Sequence, residues 1–261
     1  MKTIYRDRRE AGEKLAAELQ GLKDKKPVIL ALPRGGVPVA AEVAQALHAP
    51  LDVLVVRKIG MPGNRELGIG AIAEDDVLWI DSSAAAGLNI DPSELESELK
   101  HELIRVSRNV KKYRGERAPI DLEGRTAIIV DDGVATGVTT KAAAKLARAR
   151  GAAEVIVAVP VGSRSACEFL AEDADRVICL STPDPFFSVS GWYEDFTQVT
   201  DDQVLEALGR FAPHDPLPEI LSRPIKLSAA GHQAPVLHGE LRVPQWPSSR
   251  NQPVGAVIFA H

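Results

Sequence analysis

The chain has 261 residues, of which 45% are hydrophobic and 26% charged, ordinary proportions for a globular protein holding one large domain or one domain with an appendage. A formal net charge of −5 leaves no broad basic field for nucleic acid. The two cysteines, Cys167 and Cys179, form no disulfide framework and lack zinc-site spacing, so they read as buried small hydrophobes. No apolar run approaches the roughly 20 residues of a membrane span, and the N-terminus lacks the apolar core of a signal peptide. The expected location is cytoplasmic.

In chain order, residues 7–22 place Ala11, Leu15, Leu19 and Leu22 near helical spacing and predict an amphipathic helix. The apolar run 28–32 predicts a strand ending in Pro33, Arg34, Gly35 and Gly36. Two glycines let a backbone approach an anion closely, and Arg34 adds a charge. A helix follows over 37–48, then a second buried strand over 51–57 that ends in Arg57 and Lys58. Residues 59–70, rich in glycine and turn formers, read as a flexible loop. Residues 70–81 predict a strand and its continuation. Residues 91–115 predict one long helix with Asp91 as N-cap and Pro92 as its first residue. The basic residues at 105–117 and 148–150 read as solvated helix faces.

Residues 128–140 read IIVDDGVATGVTT. A strand ends in two carboxylates, a short loop follows, and a helix starts at about Thr140. Asp131 and Asp132 offer oxygen to a hard cation or to ribose hydroxyls. Ala135, Thr136, Gly137, Val138 and Thr139 offer small side chains and backbone N–H groups at a helix N-terminus, where an anion is favoured. A plain helix-capping turn uses similar residues. Strands at 155–161 and 176–181 flank a helix near 164–173. The aromatic stretch 181–196 holds Phe186, Phe187, Trp192 and Tyr193, which either stack on a planar base or pack a loop onto the core.

Short apolar strands alternating with helices indicate an α/β fold with a doubly wound, mostly parallel sheet, whose ligands sit at the strands' carboxyl ends. This domain spans 1–210. Residues 211–224, with Pro213, Pro216, Pro218 and Pro224, read as a linker, and 225–261 as a small β-rich tail.

The segment IIVDDGVATGVTT resembles the phosphoribosyl-diphosphate (PRPP) loop of the type I phosphoribosyltransferases, and PRGG, the Arg57–Lys58 pair and the aromatic stretch fall where that family places its other loops. The resemblance implies that Asp131 and Asp132 hold the ribose hydroxyls with Mg²⁺ nearby, and that Ala135 to Thr139 wrap the 5-phosphate. It makes Arg34, Gly35, Gly36, Arg57 and Lys58 the diphosphate ligands, with Asp131, Asp132, Arg34 and Lys58 catalytic. It makes 59–70 the closing loop, and Phe186, Phe187, Trp192 and Tyr193 the hood over the acceptor. The implied reaction is displacement of pyrophosphate from PRPP by a nitrogen acceptor. The implied partners are PRPP, a small-molecule acceptor and a second copy of the chain, with neither nucleic acid nor membrane. Ala135 stands where enzymes for 6-oxopurines carry an aspartate, which leaves the acceptor open. A non-catalytic PRPP or nucleotide sensor is the alternative. The tail resembles the opening strands of a dienelactone-hydrolase-like domain, but no Gly-x-Ser-x-Gly nucleophile motif is present, which sets an ester or lactone hydrolase last.

Overall fold

Runs of aliphatic and β-branched residues set the layout. The computed structural model describes residues 4–61, 64–75, 77–80, 92–211, 219–228, 236–245 and 257–260. Along the chain come α1 (Arg8–Leu19), β1 (Val28–Ala31), α2 (Gly36–Leu47), β2 (Leu51–Val53), β3 (Val56–Met61), β4 (Asn64–Ala73) and β5 (Leu78–Ile80). Then follow α3 (Pro92–Arg114), β6 (Thr126–Val130), α4 (Val138–Ala149), β7 (Glu154–Val161), α5 (Arg164–Leu170), β8 (Arg176–Ser181) and α6 (Asp201–Phe211). Three further strands are β9 (Glu219–Ser228), β10 (Val236–Gln245) and β11 (Val257–Ala260). The chain divides into two compact units, Met1–Ala212 and Pro213–His261.

In the first unit, five strands pair in parallel in the order β2-β1-β6-β7-β8. Successive side chains alternate between the faces, so each strand feeds two cores. Ile29, Ala31, Ile128, Val130 and Ile156 pack with α1 and α2, while Val28, Leu30, Ala127, Ile129 and Val155 pack with α4 and α5. β1 and β6 are buried at every position, which is why they read as unbroken apolar runs. Each fully buried Val, Leu or Ile contributes roughly 1.5–3 kcal/mol. The expected α/β architecture is present. α1 starts at Arg8 because the Asp7 carboxylate accepts from the Glu10 N–H at 2.8 Å.

The region after β2 differs from the sequence expectation. The run 51–57 is not one strand: β2 ends at Val53, and Val56–Met61 belongs to a separate antiparallel sheet, β3-β4-β5. Most of the stretch expected as a loop over 59–70 is strand, with β3 pairing to β4. One of its glycines serves close approach: a Cβ on Gly70 would run into the Trp79 carbonyl of β5. α3 spans the expected helix from Pro92, whereas Asp91 lies outside the described residues.

The second unit contains one antiparallel sheet in the order β11-β10-β9. β9 takes in residues 219–224, which the composition reads as linker, with Pro224 opposite Glu240.

Candidate functional site

β1 and β6 are neighbours in the parallel sheet, so the loops that follow them meet. Two glycines make that meeting possible. A Cβ on Gly35 would collide with the Asp132 carboxylate, and one on Gly36 with Val130 O and the Asp131 backbone. The Pro33–Arg34 peptide in this loop is cis. Asp131 Oδ1 accepts from the Asp132 N–H at 2.9 Å, which fixes one carboxylate over the end of β6.

The expected phosphate loop is tied to the neighbouring strand. Val134 N–H donates to Val161 O at 3.0 Å, and Ser163 Oγ donates to Ala135 O at 2.7 Å. Gly137 has φ +77°, a left-handed conformation that favours glycine, and α4 begins immediately after it at Val138 rather than at Thr140. No side chain caps this helix. Its first-turn N–H groups therefore face the loop Ala135–Thr139, with Ala135 and Thr136 exposed.

Arg57 and Lys58 do not stand at a strand end. They are consecutive residues within β3, so their side chains point to opposite faces. Arg57 lines a cavity of about 230 Å³ together with Arg34, whereas Lys58 is not among its lining residues. Glu102 of α3 accepts from Arg57 Nε at 2.9 Å.

The four aromatics separate into two roles. Trp192 and Tyr193 are buried with Tyr5 and Val161, and Phe186 stacks on Trp192 with ring centroids 6.4 Å apart. Those three match the packing alternative. Phe187 is 77% exposed and, of the four, is the one open to solvent. Tyr193 still reaches the site, because its hydroxyl donates to the Asp132 carbonyl.

Sequence reasoning missed Arg8. Its Nε donates to Asp132 Oδ2 at 2.8 Å, and its Nη1 donates to Thr197 O at 2.9 Å. The guanidinium also lies 3.8 Å above the Phe196 ring. One side chain on α1 thus joins the acid pair to the segment after the aromatics. No local motif signals this, since the partners stand 124 residues apart. Burial pushes the Asp131 carboxyl well above the usual carboxylate range, and Asp132 beside it pushes the same way. Burial also raises Asp132, opposed by the hydrogen bond from Arg8.

Among the described residues, no group of three or more His, Cys, Asp and Glu side chains could hold a metal ion. A carboxylate pair alone suits Mg²⁺ that takes its remaining ligands from phosphate oxygens and water. No helix among the described residues is long and apolar enough to cross a membrane.

Residues 2–196 match the family described as the phosphoribosyl transferase domain. Two curated proteins from different strains of Mycobacterium tuberculosis, each named "Putative phosphoribosyl transferase", are 43% identical to 99% of this chain. The chain spans 58% of the length of those relatives. The crystal structure of TT1426 from Thermus thermophilus is 42% identical with a TM-score of 0.70, covering 80% of this chain and 99% of its own. The family match ends at residue 196, before the tail.

Proposed function

Because the chain belongs to the phosphoribosyl transferase domain family, we propose that it transfers the 5-phosphoribosyl group of PRPP to a nitrogen acceptor, most simply a nucleobase, and releases pyrophosphate. The observation that carries this reading is the contact of Gly35 and Gly36 with the Asp132 and Asp131 end of β6. It brings a diphosphate-suited loop and a diol-suited acid pair within one ligand's length, beside the uncapped N-terminus of α4.

Each group then has a chemical task. Breaking the bond from ribose C1 to the diphosphate builds positive charge on the sugar and negative charge on the leaving group. Asp131 and Asp132 orient the ribose hydroxyls and favour the developing cation. Arg34 and Arg57 stabilise the departing diphosphate, and the α4 N–H groups hold the 5-phosphate. Mg²⁺, held by Asp131, Asp132 and the diphosphate, would supply further charge neutralisation. Ala135 is exposed and cannot accept a proton from the acceptor, so activation of the acceptor rests on other groups. The same binding site without turnover describes a sensor.

The test mixes the full chain with PRPP, Mg²⁺ and a panel of bases and follows pyrophosphate release. Turnover on any base supports the transferase. Saturable PRPP binding without release supports the sensor. PRPP binding unchanged by Asp131→Asn together with Asp132→Asn would overturn both.

A further inference from the structure

Outside the carboxyl ends of β1 and β2, the cavity of about 230 Å³ is lined by α3 and by Asp201 at the start of α6. Its volume is many times the roughly 10–15 Å³ that one water requires. Three cations line it, Arg34, Arg57 and Lys112, against one carboxylate, Asp201. Asn109 lies one helical turn before Lys112 and Tyr113, so α3 turns one polar face to this space.

The donors are already arranged around negatively charged oxygen. Lys112 Nζ donates to Asp201 Oδ2 at 2.7 Å, and the Tyr113 hydroxyl donates to Asp201 Oδ1 at 2.6 Å. Arg34 Nη1 lies 3.9 Å from the same Oδ1. Arg34, Lys112 and Asp201 are each about one-third exposed, so an incoming anion can reach them. A lone interior salt bridge has no such open space beside it. An anion with more than one charge satisfies this cluster better than Asp201 alone does, since Arg34 and Lys112 share that one carboxylate while Arg57 is held by Glu102.

We propose that Lys112 and Asn109 are further diphosphate-binding residues, completing with Arg34 and Arg57 an anion site outside the carboxyl ends of β1 and β2. The proposal rests on the transferase reading of the same site. In it, Asp201 is the built-in counter-ion from which Arg34 and Lys112 turn to the diphosphate. The class of ligand is a diphosphate, free or as the leaving group of PRPP.

The test is calorimetric binding of magnesium pyrophosphate and, separately, of ribose 5-phosphate to the full chain and to Lys112→Met, Lys112→Arg and Arg34→Met, with a melting curve for each. Loss of one charge-assisted contact should weaken pyrophosphate binding about tenfold in Lys112→Met. Ribose 5-phosphate affinity should stay within about twofold, and Lys112→Arg should retain most of the pyrophosphate affinity. If Arg34→Met weakens pyrophosphate binding and Lys112→Met does not, the proposal fails while the transferase reading stands. Equal weakening toward both ligands in Lys112→Met makes the lysine structural and also overturns it. Wild-type protein that binds no pyrophosphate overturns the proposal and the reading together.

Discussion

The Asp131 carboxylate is desolvated at the end of β6, and Asp132 places a second negative charge beside it. Both causes raise its proton affinity above the value it has in an unfolded chain. The ionised form therefore destabilises the fold, fully so above the raised native value. The penalty is relieved as pH falls toward the ordinary carboxylate range. Asp131→Asn removes the penalty and should raise the melting temperature at neutral pH, by about 2–4 °C for each ~1 kcal/mol recovered, while abolishing PRPP binding. A melting curve taken across pH should also show a smaller loss of stability with rising pH in the variant. An unchanged or lower melting temperature at pH 7 contradicts this account. The acids, glycines and threonines of this loop were legible because one local pattern of 13 residues holds them. Arg8 was not, because a single sequence carries no record of which distant cation meets which acid.

At the scale of elements, α3 shows how a helix is fixed by charge inside the protein. Arg114, only 4% exposed at its side chain, bonds to Asp52 of β2 and to Glu74 just after β4. It also donates to the Val53 carbonyl at 2.7 Å. The basic run 105–117 reads as a solvated face, and for Arg114 that reading was wrong. Helical spacing tells which residues share a face but not which face meets buried carboxylates. Arg114→Met leaves Asp52 without its guanidinium and Glu74 with Arg150 alone, 3.1 Å away. The expected loss is about 3–5 kcal/mol, measured by urea unfolding. A loss below about 1 kcal/mol, the level of an exposed pair, sinks the claim. The splitting of 51–57 between two sheets was hidden for a similar reason. Its residues are apolar on both sides of the break, and nothing local says which sheet each half joins.

For the whole molecule, the order of strands and helices was readable because both faces of the parallel sheet are covered, which writes unbroken apolar runs into the chain. The boundary at Ala212 separates two units, and TT1426 matches 80% of this chain with nearly all of its own length. A chain ending at Ala212 should therefore keep the helical circular dichroism signal, since every described helix lies before that point, and melt within a few degrees of the full chain. A broad or strongly lowered transition would show instead that the strands beyond Pro213 stabilise the first unit. The tail was legible as β-rich, whereas β9 begins earlier than the prolines suggested.

The contacts of Arg8 bear on the order in which the protein assembles. Asp132 and Thr197 meet a residue from the first turn of α1, and the Ile4 and Tyr5 N–H groups donate to Trp192 O. On a ribosome adding about 5–20 residues each second, the opening helix waits many seconds for its last partners. The parallel strands up to β7 can pair before then. A nascent chain halted after β7 has its acid pair in place, with the segment that holds Arg8 from the other side still missing. The contacts that join the two ends of the first unit at this site are thus the last that synthesis makes possible.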